Sequence, residues 1–361
     1  MLKKALPRLA ILLVALALVA CAAPAAPAGD AADTSGDTSA TSDAGTSDAA
    51  ASDAGADGSS FRFAAIFPGP ITDADYNTLG YNGIQKVGEE YGMDVAYSES
   101  VAVPDVDRVM REYVDDGFNI IFTHGSQFVN QTKDLALEFP DVVFIAEFDA
   151  PVEDAPDNLW VIDRNFHVGF YAVGALAGNL TESGTVGYIG GLTLPFSYAE
   201  VHAMQQALSD QGLDGVTLNP VWVGDFNDPA KARELAEAMI ADGADVLVGS
   251  LNLGMLGIFE AAKNASSPVR VVAKYTDKSS FAPDNYVTSV LYDFEGPLTD
   301  IAGQIVGGAT GGYYPLGFDT GVAIQTPLLN ADEETAAAVD AVISGLLDGS
   351  IEVVKNVDPI E

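Results

Sequence analysis

Two kinds of apolar spacing alternate along this chain. Short, nearly continuous apolar runs of roughly four to eight residues read as strands buried on both faces of a sheet, and longer stretches with apolar residues every three or four positions read as helices covering them. The run 61–67 (Phe-Arg-Phe-Ala-Ala-Ile-Phe) opens the pattern. Pro68, Gly69 and Pro70 break it, because proline cannot donate to a strand ladder and glycine permits a sharp bend. Thr72, Asp73, Asp75, Tyr76 and Asn77 follow, then a helical pattern at 79–91 that Gly92 closes.

The alternation continues with strands at 93–97, 118–123, 142–147 and 159–163 and helices at 104–116 and 129–139. A second block starts with a helix at 166–180. Its strands are expected at 185–189, 216–223, 244–248, 269–274 and 286–292, with helices at 196–211, 229–242 and 253–263. Asp228 is placed to cap the helix that Pro229 begins. A helix at 297–309, a short strand at 321–325 and a helix at 332–347 come last. Regular alternation with short connections predicts parallel sheets joined by right-handed crossovers, and about eleven strands in two blocks predict two doubly wound α/β lobes. The expected lobes are 61–164 with about 293–320, and 165–292 with about 321–361, joined by a hinge and facing each other across a cleft.

The first sixty residues follow a different pattern. Lys3, Lys4 and Arg8 precede an apolar stretch at 9–19, the layout of a secretory signal and too short for a comfortable membrane span. Leu18-Val19-Ala20-Cys21 resembles a bacterial lipobox, which implies cleavage after residue 20 and acylation of Cys21, the sole cysteine. Residues 22–60 are nearly all Ala, Pro, Gly, Asp, Ser and Thr, too polar and small to offset the entropy of ordering. As a flexible tether they would span roughly 30–40 Å. The expectation is an extracytoplasmic, membrane-anchored domain.

From residue 61 onward there are 13 Lys and Arg against 45 Asp and Glu, a net charge near −32. Such a surface is repelled by phosphate backbones and anionic headgroups, so nucleic acid and direct membrane contact are not expected as partners. Loops at the carboxyl ends of parallel strands face the ligand crevice of α/β folds. Here they carry Asp73, Asp75, Tyr76 and Asn77, then Ser126 and Phe128, then Glu147, then Phe196, Phe226 and Asn252, and last Tyr275, Asp277 and Tyr292. Aromatic rings among acids and amides suit a neutral, flat ligand such as a nucleoside or purine, and equally a sugar. For any single aromatic the alternative is a packing role, and for the first loop it is a plain turn with a capping Asp.

Catalytic and metal readings find little support. His124, His167 and His202 lack zinc spacing, and His124-Gly125-Ser126 is not a nucleophile elbow. Gly307 to Gly312 follows a helix rather than preceding one, so it reads as a flexible helix end, not a phosphate loop. No cofactor or metal is expected.

The order of motifs resembles the basic membrane protein family. It rests on Asp73-Ala-Asp-Tyr-Asn77, Gly80, Gly83, Gly117-Phe-Asn-Ile-Ile-Phe122, Phe128, Gly187-Tyr-Ile-Gly-Gly191, Phe226-Asn-Asp228, Gly243-Ala-Asp-Val246, Asp277, Phe281-Ala-Pro283 and Thr288-Ser289. The resemblance covers about 61–330. It implies a type I periplasmic-binding-protein fold and a substrate-binding lipoprotein of an ATP-binding-cassette importer, with a purine nucleoside or base as ligand and a membrane permease as partner. It further implies that Tyr76 and Asn77 contact the base, that Phe128 and Phe226 are candidates to stack on it, and that Asp277 lies in the loop that grips the sugar or base edge. Tyr275 and Tyr292 stand where the family commonly has an acid and, in nucleoside receptors, a lysine, which weakens the ribose-binding reading in favour of a free purine base or a different ligand altogether. The expected protein is a monomeric receptor without catalytic activity. The alternatives are a sugar or polyol receptor, a sensor for a signalling kinase, or a tethered hydrolase that Glu147→Ala or Asp277→Ala would inactivate.

Overall fold

The computed structural model describes residues 58–360. The expected signal segment, Cys21 and the tether up to residue 57 lie outside the described residues. The last three residues assigned to the tether, Gly58–Ser60, form a short 3-10 turn.

The first block runs β1 (Arg62–Ile66), α1 (Tyr76–Tyr91), β2 (Asp94–Ser98), α2 (Val106–Asp115), β3 (Ile120–Thr123), α3 (Val129–Glu138), β4 (Val143–Phe148) and β5 (Leu159–Asp163). The second runs α4 (Phe166–Leu180), β6 (Thr185–Gly190), α5 (Pro195–Asp210), β7 (Thr217–Trp222), α6 (Pro229–Ala241), β8 (Val246–Ser250), α7 (Met255–Lys263), β9 (Arg270–Tyr275) and β10 (Tyr286–Tyr292). After these come α8 (Glu295–Val306), β11 (Gly312–Pro315), β12 (Val322–Ile324) and α9 (Glu333–Asp348). Local chemistry marks the boundaries as the sequence suggests. Gly92 ends α1 in the left-handed conformation at φ 68°, and the Asp228 carboxylate accepts from the Lys231 amide beside Pro229.

The strands form two six-stranded sheets, ordered β11-β5-β4-β3-β1-β2 and β12-β10-β9-β8-β6-β7. Each is the centre of an α/β lobe. The edge strands β2 and β7 are only partly buried, whereas interior strands such as Ile120–Thr123 and Val246–Ser250 are buried throughout. Each such Ile, Leu or Phe contributes about 1.5–3 kcal/mol by leaving water. Two expectations need correction. β12 runs antiparallel to β10: the chain enters it from β11 of the other sheet, so no crossover helix on the second sheet leads from β10 to β12 and the parallel βαβ rule does not apply. β11 itself was not anticipated. Its Gly-Tyr-Tyr-Pro sequence is mostly exposed at the sheet edge and lacks the apolar run of an interior strand.

Among the described residues the chain passes between the sheets after β5, after β10 and after β11. The loops that leave the carboxyl ends of β1, β3 and β4 thereby meet those that leave β6, β7, β8 and β9. No described helix is long and apolar enough to cross a membrane.

Candidate ligand-binding cleft

The first wall starts at Asp73. Its carboxylate accepts from the backbone amides of Asp75, Asn77 and Thr78 at 2.9, 3.2 and 3.1 Å, so it caps α1 from within the preceding turn. It also accepts from the Asn77 side-chain amide at 2.7 Å, which fixes that amide's orientation. Asp73 is therefore a positioning group behind Asn77. Beneath this turn lies a buried polar cluster. The Tyr76 hydroxyl donates to Glu147, whose other oxygen meets His124 Nδ1 at 2.6 Å. His124 Nε2 lies 2.8 Å from the Tyr76 carbonyl, which can only accept, so that nitrogen carries a proton. Burial and the neighbouring Glu147 hold the Tyr76 hydroxyl well above its ordinary pKa, and it stays a neutral donor.

Arg164 follows β5 and is 3% exposed. Its Nε and Nη2 reach Asp149 at 2.9 and 2.5 Å, Nη2 also reaches Ser126 at 2.8 Å, and Nη1 reaches the Tyr76 hydroxyl at 3.1 Å. One Asp149 oxygen remains without a partner.

The second wall is aromatic over a buried cation. Lys274 pairs with Glu200 at 2.5 Å and donates to Ser250 at 3.3 Å, while the Tyr188 hydroxyl donates to Glu200 at 2.6 Å. The Lys274 ammonium lies 3.8 Å from the centre of the Phe166 ring and 4.8 Å from that of Phe196. Burial pulls this amine down to about 8, with Glu200 opposing the shift. Phe196 and Phe226 lie nearly parallel, 18° apart with centroids at 6.3 Å. Gly191 makes that possible, since a Cβ there would sit 2.1 Å from the Phe226 ring.

Between the walls is a cavity of about 330 Å³. The first lobe contributes Pro68, Gly69, Tyr76, Asn77, Val103, Gln127 and Arg164, and the second Leu192, Leu194, Phe196, Asp225, Phe226, Asn227, Asn252 and Tyr275. The cleft is closed by polar contacts between the lobes. Asn252 donates to Asp73 at 3.1 Å, Thr276 to Asp75 at 3.0 Å, and the Lys278 ammonium pairs with Asp75. A larger, shallower depression of about 790 Å³ lies near the amino ends of β8 and β9. There Asp245 is already taken by the amides of Glu182 and Ser183 and the Thr181 hydroxyl, and no aromatic ring lines it.

Six of the residues singled out in the sequence line the smaller cavity: Tyr76, Asn77, Phe196, Phe226, Asn252 and Tyr275. Four more are buried behind them: Asp73 holds Asn77, Glu147 holds Tyr76, Ser126 accepts from Arg164, and Asp75 bonds the opposite lobe. Three lie elsewhere. Phe128 is fully buried in the hydrophobic core of the first lobe, turned inward at the start of α3. Tyr292 packs edge-on against Phe166 and bonds its carbonyl. Asp277 accepts from the Ser279 amide at the surface. The principal lining residue not anticipated is Arg164, although its place directly after a strand was the available signal. Among the described residues no cluster of three or more His, Cys, Asp or Glu could hold a metal ion.

A family model described as ABC transporter substrate-binding protein PnrA-like matches residues 61–351. Basic membrane protein A2 of Borrelia garinii subsp. bavariensis is 26% identical over 236 residues, covering 64% of this chain and 68% of that protein. A purine-binding protein of Brucella abortus is 25% identical over 252 residues, covering 67% and 68%. The solved ABC transporter solute-binding protein from Conexibacter woesei superposes with a TM-score of 0.65 at 23% identity, covering 82% of this chain and 99% of that one. That likeness establishes the two-lobed α/β fold.

Proposed function

The chain belongs to the family of PnrA-like ABC transporter substrate-binding proteins, and from this premise we propose that its cleft takes a purine, as the free base or its nucleoside. The observation that carries the reading is the near-parallel pair Phe196 and Phe226, 6.3 Å apart on one wall, with the Asn252 amide beside Phe226 and the Asn77 amide on the facing wall, both bonded to Asp73. Flat rings offer face contact to a flat heterocycle, and amides serve its donors and acceptors alike. A cavity of about 330 Å³ is at the small end of ligand sites, which favours one bicyclic base with little besides. The purine-binding relative in Brucella abortus supports the same ligand class.

Substrate-binding proteins of ABC importers work outside the cytoplasm and hand ligand to a permease. Cys21 would supply a lipid anchor, with the following residues as tether. In this reading the ligand leaves as it came: acids at the cleft are paired with cations, Asp149 with Arg164, Glu200 with Lys274 and Asp75 with Lys278, as suits a receptor.

Isothermal calorimetry with adenine, hypoxanthine, adenosine, inosine, glucose and ribose tests the assignment. The expected result is micromolar or tighter binding of at least one purine, recovered chemically intact by mass spectrometry. Binding of a sugar with no response to any purine would replace this reading with the sugar receptor, and turnover of a nucleoside would replace it with the hydrolase.

A further inference from the structure

We propose that Arg164 decides which purine is accepted, and that the cleft prefers a 6-oxopurine over a 6-aminopurine. The inference deepens the purine assignment and rests on it.

A guanidinium has five N–H donors and no acceptor, and it cannot shed its charge in a protein. Four of the five are engaged: Nε–H and one Nη2–H with Asp149, the other Nη2–H with Ser126, and one Nη1–H with the Tyr76 hydroxyl. The second Nη1–H has no acceptor among the described residues, in a side chain that is 3% exposed and lines the cavity. Phe166 and Phe196 lie against the same guanidinium, each with its ring centre 4.8 Å away, so the group is held in place and shielded from water. Leaving a buried donor unpaired carries its full desolvation cost, and hydrogen bonds to charged groups are the stronger ones. The bound molecule must therefore bring an acceptor to this point.

Asp149 already balances the charge of Arg164 and keeps one oxygen without a partner, so the site calls for a neutral carbonyl rather than a carboxylate or phosphate. Ring nitrogens N3 and N7 are common to all purines and cannot discriminate. The difference lies at position 6, where hypoxanthine and guanine carry a carbonyl acceptor and adenine an amino donor. An amino group at Arg164 would set donor against donor. Asn77 and Asn252 are held by Asp73 but each keeps a second amide N–H and a carbonyl oxygen, and Gln127 can turn either way, so N1–H and bare N1 can both be served and the discrimination rests on the arginine.

Competition calorimetry on the purified chain, pairing hypoxanthine with adenine and inosine with adenosine, reads the preference directly. The 6-oxo member of each pair is expected to bind at least tenfold more tightly. In Arg164→Met the ratio should fall to about twofold, while Arg164→Lys, which keeps a cation beside Asp149, should retain part of it. Should either variant fail to fold, the wild-type ratio alone decides. Equal or tighter binding of the amino member overturns the role of Arg164 and leaves the purine assignment standing. Absence of binding by every purine overturns both.

Discussion

The Asn252 side chain, on the loop after β8, donates to the Asp73 carboxylate ahead of α1 across 3.1 Å, and both residues are buried. The acceptor oxygen is the one that also holds Asn77, so a single atom joins one lobe's cap to the other lobe's loop. A hydrogen bond to a charged group contributes about 1.5–3 kcal/mol. Asn252→Ala should therefore weaken ligand binding about tenfold or more in calorimetry while the melting temperature of the ligand-free protein barely moves. Asp73→Ala should lose the same affinity and also about 1 kcal/mol of stability with the helix cap. Equal affinity in wild type and Asn252→Ala would mean that this contact does not hold the cleft shut.

Asp75 gives closure a pH dependence. Burial pushes its carboxyl up to about 6 from an ordinary 3.8, against the opposing pull of Lys278 and Thr276, with Asp73 adding to the rise. Lys278 and Thr276 belong to the other lobe, so opening returns Asp75 to water. The closed form then binds the extra proton between roughly 3.8 and 6. Its contribution to closure is fully present below that window and is lost as pH rises through it. Ligand affinity should fall as pH rises from 4 to about 6 and then level off. Calorimetry across this range, with Asp75→Asn abolishing the slope, checks both the direction and the source.

Phe128 and Phe226 look alike in the sequence, each shortly after a strand, yet they serve different ends. Phe128 is packed into the first lobe's core, so Phe128→Ala should cost about 3–5 kcal/mol in denaturant unfolding with purine selectivity unchanged. Phe226 rests over Gly191, so Gly191→Ala must displace that ring and should weaken binding with a smaller loss of stability. A Phe128→Ala protein with normal stability and lost affinity would reverse this division.

That contrast marks how far the sequence could be read. Alternation of apolar runs and helical periods places the two sheets, and the rule that loops after parallel strands face the crevice delivers Tyr76, Asn77, Phe196, Phe226, Asn252 and Tyr275 to one cavity. The rule locates a loop and does not orient its side chains. Phe128 sits in the 3-10 turn Ser126–Phe128 and turns under, and Tyr292 ends β10 facing Phe166. Buried cations are less legible still, because they are made tolerable by partners far away in the chain. Lys274 depends on Glu200, 74 positions earlier, and Arg164 on Asp149 and Tyr76.

The Lys274 and Glu200 pair should show strong coupling. Both are fully buried, and removing one partner strands the other charge, at a cost of about 3–5 kcal/mol. Lys274→Met and Glu200→Gln should each destabilise the protein by that order. The double variant should be less destabilised than the sum by at least about 1 kcal/mol, as urea unfolding would show. Strict additivity would sink the claim that each charge is kept by the other.

The chain after α9 is a strap between the lobes, and it runs past the matched family region, which ends at residue 351. Gln206 on α5 bonds the Glu352 carbonyl and the Val354 amide at 2.9 Å each, and His202 lies 3.0 Å from the Asp358 carbonyl. From that base on the second lobe, Lys355 reaches both oxygens of Asp163 at 2.6 and 2.7 Å. Asp163 ends β5 of the first sheet, where the chain crosses between lobes and immediately before Arg164. Lys355→Ala leaves a carboxylate that is 1% exposed with Tyr313 as its remaining side-chain donor. That should cost about 1–3 kcal/mol. It should also loosen the crossing, seen as a larger radius of gyration in ligand-free solution scattering and weaker purine binding. Removing residues 352–361 should reproduce both effects, whereas Val354→Ala, which keeps the backbone amide and its bond to Gln206, should show neither. If the truncated chain scatters and binds like the whole one, the strap is only a surface coating and opening is governed by the crossings alone.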